Sequence, residues 1–437
     1  MERDVLRRIK RGFGANAYSL GVVVVIQLAG VPILLHAWGT QLYGEWLILA
    51  AVPVSLSMAD LGFSQSAGND MTARMGHGDV VGALAVLQSL AALVYGFALL
   101  GLLLVTLLIF LLPLNHWFHF THLSVVDARW ILWLFAAEVL VKLLDGVNHA
   151  GFRANGDYAM QIGISASTML VQQLGVWGLS LAGHGPLDAA VWFAIVRFVV
   201  TPATIMLLYH RHSSLRPGFA HARWIHLQGL VRPSLANLAM PIALALNIQG
   251  MVLVVAAVMG PTAVVVFSVL RTLTRFVVQG IAVVTHSLEP EVARAWGQGN
   301  SVLIRTLYIR SAEISGLLAA GSAAVLYFLG NWIVAFWTHG KVVMHPALYD
   351  WLLLSAITTV LWHSGINFLK ALNRHVRAAI WFVVTSGASV SLAYLLLRWT
   401  HDLAGAGIAL VVADVLLGIY AVLQVRRITG INWSHAS

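Results

Sequence analysis

The sequence predicts an all-α polytopic membrane protein with about twelve transmembrane helices, each formed by about 20 apolar residues. Of its 437 residues, 59% are hydrophobic and only 10% are charged, whereas a soluble domain carries about 25% charged residues. The mean hydropathy is +0.83. The apolar runs are long and do not alternate, which excludes membrane-spanning strands. We therefore expect lipid to solvate most of the surface.

The predicted spans follow one another with short loops. They are expected at residues 15–36, 45–68, 83–112, 129–150, 159–181, 188–209, 236–258, 263–287, 304–328, 350–371, 378–397 and 405–424. The segment Met1–Arg11 is charged and leads into a long apolar stretch, so we interpret it as the start of a retained first helix rather than a cleaved signal. The absence of cysteine excludes disulfides and thiolate metal sites.

The basic residues of the loops predict the orientation of the chain. Most of them fall in alternate loops, namely at Arg3, Arg7, Arg8, Lys10, Arg11, Arg74, Arg153, Arg211, Arg216, Arg223, Arg232, Arg294, Arg374, Arg377, Arg426 and Arg427. The remaining loops contain Lys341 and Arg398. Because Lys and Arg concentrate on the cytoplasmic side, both termini are predicted to be cytoplasmic. The same bias explains the net charge of +9 without nucleic acid.

The two halves of the chain resemble each other at a constant offset. Four pairs are separated by 221 residues (237 − 16 = 221 for the first): Asn16 and Asn237, Gly39 and Gly260, Gly76 and Gly297, Trp130 and Trp351. We therefore predict an N-lobe at 1–209 (spans 1–6), an inner amphipathic linker at 210–235 and a C-lobe at 236–437 (spans 7–12). Six spans per half make the repeat parallel, an architecture typical of transporters that rock between two openings.

Two segments carry a family resemblance. The sequence "YGEWLILAAVPVSLSMADLGFSQSAGN" (Tyr43–Asn69), followed by "MGHGD" (Met75–Asp79), resembles the second helix and first inner loop of bacterial polysaccharide flippases. These are the Wzx-type proteins of the PST family, within the multidrug/oligosaccharidyl-lipid/polysaccharide exporter (MOP) superfamily. The matching positions are Gly44, Glu45, Trp46, Asp60, Leu61 and Gly62.

That resemblance implies a function. It implies transfer of an undecaprenyl-pyrophosphate-linked oligosaccharide from the inner to the outer leaflet of the bacterial cytoplasmic membrane. A polysaccharide polymerase and a chain-length regulator become candidate partners, as in O-antigen or exopolysaccharide biosynthesis.

Four arginines lie inside predicted spans: Arg197, Arg271, Arg275 and Arg310. Each charge costs about 2.5–3.5 kcal/mol at the bilayer centre, so each needs a reason. Our hypothesis is that they line a central cavity and bind the substrate pyrophosphate, since guanidinium donates parallel hydrogen bonds to phosphate. The alternative is that they pair with Glu138, Asp145, Glu313 or Asp414 and lock helices together.

Three acids inside the spans are candidates for ion coupling or gating. Glu138 and Asp145 lie in the fourth span, where Glu138 alternatively pairs with Lys142 one turn away. Asp414 falls opposite Arg197 in the repeat (414 − 197 = 217), which suggests a closing gate or a titrating site. We expect no cofactor apart from coupling to a proton or sodium gradient.

Uncharged polar residues inside the spans, and three histidines in an outer loop, complete the candidates. Asn16, Gln27, Asn237, Asn247 and Gln249 either contact sugar hydroxyls or bond neighbouring helices. Asp60 is expected to anchor a helix end or loop, and direct contact with the substrate is the alternative. In "HWFHFTH", His116, His119 and His122 suggest a metal, but the flanking aromatics favour an interfacial belt. Glycine-rich phosphate loops are absent, so ATP hydrolysis is not expected.

Three other functions share features with the flippase. A multidrug exporter or a peptidoglycan-precursor (lipid II) flippase would share the architecture. A membrane glycosyltransferase or polysaccharide polymerase would be an enzyme, but the outer loops are short, and the largest, Asn331–Tyr349, contains no acidic residue. Paired carboxylates for acid–base catalysis are missing from the sequence, so a non-enzymatic function is predicted.

Overall fold

The structure is a computed structural model that describes residues 2–57, 61–111, 120–216, 218–298, 300–372 and 374–429. Asp60, His116 and His119 lie outside the described residues, as does the side chain of Asn237. The described part of the chain is all-helical. It forms thirteen α-helices and one short π-helical segment.

The helices follow the chain in this order: α1 Glu2–Ser57, α2 Leu61–Gly76, α3 Val80–Leu111, α4 Val125–Ala154, α5 Tyr158–Leu181, α6 Pro186–Arg211, α7 Trp224–Ala245, the π segment Leu246–Gly250, α8 Met251–Met259, α9 Pro261–Gly297, α10 Ser301–Trp337, α11 Pro346–Ala371, α12 Val376–Thr400 and α13 Ala404–Thr429. Helix α1 bends at Gly39 into two arms. The second arm and α2 make the second span, and α7, the π segment and α8 make the seventh. The helices therefore match the twelve predicted spans.

Composition marks this chain as a multi-pass membrane protein. Within the described residues, nine helical stretches are long and apolar enough to cross a membrane, and one of them, Gly14–Ala51, covers parts of both arms of α1. Helices α4 and α5 have the length but are more polar. Helix α4 carries Glu138, Lys142 and Asp145 in mid-helix, and these charges are the reason it needs partners inside the bundle.

The chain divides into two compact units, Met1–Pro241 and Ile242–Ser437. Within each unit, the spans pack in the same order: first on fifth, second on third and fourth, third on fourth, fourth on sixth, and fifth on sixth. The structure starts α7 at Trp224, inside the segment predicted as a linker. The predicted lobe boundaries themselves stay a prediction.

Backbone geometry repeats between the units at the predicted offset. Gly39 has φ 73° and ψ 179°, and Gly260 has φ 83° and ψ 180°, a conformation that residues with a Cβ avoid. Asp79 Oδ1 accepts from Gly82 N at 2.8 Å, and Asn300 Oδ1 accepts from Leu303 N at 3.0 Å. The second pair again lies 221 residues after the first (300 − 79 = 221), so the parallel repeat extends to single hydrogen bonds.

The segment between α6 and α7 is fastened to α3. Gln88 donates from Nε2 to the Arg216 carbonyl at 3.2 Å, and its Oε1 accepts from His221 N at 2.7 Å. The Arg223 N–H donates to Ser89 Oγ at 2.9 Å. Leu215 is fully buried in the core formed by α2, α3 and α4. The segment is therefore held by the N-terminal unit.

Candidate functional site

A buried ion-pair cluster occupies the middle of the N-terminal unit. Arg197 on α6 donates from Nε to Glu138 Oε1 at 2.8 Å and from Nη1 to Asp145 Oδ2 at 2.8 Å. Gln172 on α5 donates to Glu138 Oε1 at 3.2 Å. Glu138 and Asp145 are seven residues apart on α4, about two helical turns, so both reach the same neighbour. The cluster ties α4, α5 and α6 together.

The pairing matches the alternative that the sequence left open for Arg197. Its guanidinium is engaged by two carboxylates, so its charge is neutralised within the unit. Removing one member of such a buried pair costs about 3–5 kcal/mol because the other charge is stranded. Glu138 bonds across helices, to Gln172 of α5 and to Arg197 of α6, whereas its pairing with Lys142 stays a prediction. Pyrophosphate binding by Arg197, and ion coupling by Glu138 and Asp145, stay predictions.

A cavity of about 90 Å³ lies inside the C-terminal unit, with room for several water molecules. Arg271, Arg275, Asn247 and Asp414 all line it. Arg271 is 9% exposed, and its Nη2 donates to Asn247 Oδ1 at 2.6 Å. Among the described residues, its buried Nη1 has no hydrogen-bond partner. One of the two arginines that line the cavity therefore keeps an unsatisfied guanidinium donor.

A local departure from α-helical geometry positions Asn247. It lies in the π segment Leu246–Gly250, between α7 and α8. Insertions of this kind are frequent at functional sites because they widen one turn and redirect its side chains. Gln249 is half-buried in the same segment but is not among the cavity-lining residues. Of the two amide residues in the π segment, Asn247 is therefore the one that bonds Arg271.

Asp414 on α13 is held by two neutral donors on α11. Ser355 Oγ donates to its Oδ2 at 2.6 Å, and Trp362 Nε1 donates to its Oδ1 at 2.8 Å. Asp414 is 5% exposed and shares the cavity with Arg271. A buried acid bonded to neutral donors can change its protonation state without breaking an ion pair.

The other predicted site residues lie elsewhere. Arg310 is exposed on α10 and is not among the residues that line the cavity. Asn16 is exposed, and its amide donates to the Gly12 carbonyl at 2.8 Å within its own helix. Gln27 is half-buried on α1 and has a bonding partner. The predicted sugar contacts stay predictions.

Several residues around these sites were not singled out from the sequence. Gln172 joins the ion-pair cluster, and Ser355 and Trp362 hold Asp414. A polar residue at every fourth position of the tenth span, starting at Ser355, was a readable signal that one face of that helix is buried against polar partners. Gln172 is a mid-span polar side chain, which offers a weaker signal.

One residue of the motif that resembles polysaccharide flippases, Glu45, has a structural role. Glu45 is fully buried, and its carboxylate accepts from the backbone N–H groups of Thr121, His122 and Leu123 at 2.7, 3.0 and 2.8 Å. It therefore binds the segment that leads into α4. Because His116 and His119 lie outside the described residues, the metal alternative stays untested.

Comparison with solved structures identifies the fold. An inward-facing multidrug resistance MATE family transporter of the MOP superfamily superimposes with a TM-score of 0.72 at 15% identity, covering 96% of each chain. The lipid II flippase MurJ in an inward closed conformation gives 0.69 at 14% identity, covering 96% of this chain and 87% of that one. An outward-facing MATE transporter of the same superfamily gives 0.65 at 16%, covering 97% and 95%.

Sequence comparison adds no relative to these structures. The chain matches no protein-family model and no curated protein sequence. At 14–16% identity, the structural likeness identifies architecture rather than substrate. This chain therefore has the two-lobe helical fold of the MATE and MurJ transporters of the MOP superfamily.

Proposed function

We propose that the protein is a flippase that moves an undecaprenyl-pyrophosphate-linked oligosaccharide from the inner to the outer leaflet of the bacterial cytoplasmic membrane by alternating access. The fold is that of MOP transporters, one of which is a lipid II flippase. The observation that carries the proposal is Arg271, a buried arginine that lines the cavity of the C-terminal unit and whose Nη1 has no partner among the described residues.

An anionic headgroup would satisfy that guanidinium. Leaving a buried charged donor unpaired costs free energy, and a phosphate oxygen would remove this cost. Arg275 lies one turn further along α9 and lines the same cavity, so two guanidinium groups are available to one ligand. Two neighbouring arginines match the two phosphates of a pyrophosphate, with planar donors suited to its oxygens. Asn247 then keeps Arg271 in place.

Asp414 supplies the coupling in this proposal. It shares the cavity with Arg271, so its charge state changes the affinity of the cavity for an anion. A neutral Asp414 favours the bound pyrophosphate, whereas the ionised form repels it. A proton or sodium gradient that sets this state would drive the cycle. Both termini would be cytoplasmic, and a polymerase with its chain-length regulator would receive the product.

The first test is a flipping assay in sealed proteoliposomes. The substrate is undecaprenyl-pyrophosphate oligosaccharide, and an impermeant probe reports its appearance in the opposite leaflet. Arg271→Ala/Arg275→Ala should lower the rate by about a hundredfold, which corresponds to about 2.7 kcal/mol. Arg398→Ala is the matched control, because Arg398 is exposed and bonds Tyr394 OH within its own helix. A double variant that flips at the wild-type rate would refute the arginine site.

The same vesicles separate the competing functions. The MATE structures favour drug export as the second candidate, since one of them superimposes with a TM-score of 0.72. Protein-dependent movement of a cationic drug, with no movement of the lipid-linked sugar, would establish that function. Movement of lipid II alone would assign the peptidoglycan precursor. Growth of the oligosaccharide without transfer would identify a polymerase or glycosyltransferase.

A further inference from the structure

A second, smaller cavity lies in the C-terminal unit beside helix α11. Its volume is about 10 Å³, which is close to the space of one water molecule. Its polar lining comes from Thr285, Tyr308, Ser311, Ser364 and Asn367. Ser364 is 4% exposed, and its Oγ has no hydrogen-bond partner among the described residues. The cavity therefore fits a small hydrogen-bonding ligand such as water.

One polar stripe on α11 connects this cavity with the larger one. Ser355, Thr359, His363 and Asn367 are spaced by four residues and so share one face of the helix. Ser355 and Thr359 line the larger cavity, and Asn367 lines the smaller one. His363 stands between them. Thr359 and Asn367 are eight residues apart, so the stripe extends about 12 Å between the cavities.

The hydrogen bonds at the smaller cavity engage one ring nitrogen of His363, Nδ1. The Thr285 hydroxyl donates to the Ile281 carbonyl at 3.1 Å, so its oxygen accepts from Asn367 Nδ2, also at 3.1 Å. In this orientation of the amide, its second hydrogen faces His363 Nδ1 at 3.0 Å, and that nitrogen accepts when the ring proton is on Nε2. If the amide of Asn367 rotates, its oxygen accepts from a protonated Nδ1. Asn367 therefore accommodates both charge states of the ring.

Charged groups lie at the two ends of the stripe. Helix α9 contributes Arg271 and Arg275 to the larger cavity, and α13 contributes Asp414. Helix α10 contributes Tyr308 to the smaller cavity, and the positive charge of Arg426 on α13 acts on this tyrosine. These are the charged or titratable groups that the described parts of the three packed helices bring to the two cavities. Between them the stripe offers hydroxyl and imidazole groups, which can relay a proton, and the Asn367 amide, which orients the imidazole.

We propose that this stripe, together with water in the two cavities, conducts protons between Asp414 and the smaller cavity. The inference rests on the proposed coupling role of Asp414. A proton that comes from the smaller cavity is taken up by His363 at Nδ1, the nitrogen that faces Asn367, and the ring releases its other proton from Nε2 and is neutral again. The Thr359 hydroxyl, one turn away and in the larger cavity, accepts that proton and passes its own through cavity water to the Asp414 carboxylate. Charge and atoms balance without an oxidant or cofactor.

The test follows the protonation of Asp414 directly in the purified full-length protein. After a rapid pH jump, stopped-flow infrared spectroscopy records the C=O stretch of the protonated carboxyl, which Asp414→Asn identifies by its loss. His363→Ala and the nearly isosteric Thr359→Val should each lower the rate at which this band changes by about tenfold, equivalent to about 1.4 kcal/mol on the barrier. Thr358→Val is the matched control, because that hydroxyl bonds the Leu354 carbonyl of its own helix at 3.1 Å and does not line either cavity.

Each outcome decides the inference. Slower protonation in both stripe variants, with Thr358→Val at the wild-type rate, supports the path. Protonation at the wild-type rate in monodisperse His363→Ala and Thr359→Val overturns it, and so does a wild type in which no Asp414 band titrates. The measurement needs no transported substrate. A wild type that flips no lipid-linked sugar but shows the slowed variants would refute the proposed function and leave the path standing.

Discussion

At the scale of single residues, Glu45 shows how a buried charge can be satisfied by backbone alone. Its two carboxylate oxygens accept three consecutive backbone N–H groups, and Thr121 Oγ1 adds a longer contact at 3.3 Å. Those N–H groups belong to the turn before α4, where Ser124 caps the helix. Glu45 thus fixes the second arm of α1 against the start of α4.

Glu45→Ala should destabilise the protein by about 2–3 kcal/mol, because hydrogen bonds to a charged group are lost and backbone donors are left unsatisfied. The thermal unfolding midpoint in detergent reports the loss, and hydrogen–deuterium exchange should accelerate at residues 121–123. The unfolding midpoint of Glu45→Gln should lie between those of Glu45→Ala and wild type, since one acceptor oxygen remains. Asp188→Ala is the control, an exposed acid whose side chain is 56% accessible. Unchanged exchange at 121–123 in Glu45→Ala would contradict the clamp.

Arg197 marks the limit of prediction at this scale. The cost of a charge in lipid identified Arg197, Glu138 and Asp145 as residues that need partners. Sequence did not decide whether the partner was a ligand or another helix, because a pair across α4 and α6 depends on how those helices rotate and pack. The hydrogen bond from Gln172 to Glu138 could not be predicted for the same reason, because it also joins two helices. In contrast, the spacing of four residues between Arg271 and Arg275 is enough to place them on one helical face.

At the scale of elements, the turns at Gly39 and Gly260 set the antiparallel course of the first two spans in each unit. Both glycines have positive φ with ψ near 180°. A Cβ at either position would meet no atom within 4 Å. Steric crowding by neighbours is therefore excluded as the reason for glycine, and the backbone conformation itself remains as the reason.

Gly260→Ala should cost about 1–3 kcal/mol, because alanine must adopt a backbone conformation that is open only to glycine. Gly387→Ala provides a matched control: its Cβ also meets open space, but Gly387 lies within helix α12. There alanine should be neutral or stabilising by up to about 1 kcal/mol. Thermal unfolding midpoints of the two variants in the same detergent make the comparison. Equal midpoints would show that the turn carries no strain.

At the scale of the whole molecule, the number of spans was predictable because bilayer thickness fixes the length of each helix. The repeat was predictable because pairs such as Gly39 and Gly260 hold one offset. The start of α7 at Trp224 was not, because a basic, aromatic segment is read as a surface linker from composition while its backbone can still be helical. The cavity around Arg271 also needed the structure, since the π segment that places Asn247 has no sequence signature.

Coupling is a property of the whole molecule, and Asp414 provides its sharpest test. In the wild type, Ser355 and Trp362 bond the carboxylate at 2.6 and 2.8 Å. Asparagine mimics the protonated acid, because its amide oxygen can accept from Trp362 Nε1 and its amide nitrogen can donate to Ser355 Oγ. Asp414→Asn should therefore flip substrate at a rate that no longer responds to an imposed proton gradient, while exchange at equal pH continues. Asp402→Asn is the control, since that side chain is 48% accessible. If flipping by Asp414→Asn still accelerates with the proton gradient as in wild type, the coupling site lies elsewhere. Acceleration by a sodium gradient in wild type alone would keep the site and change the ion.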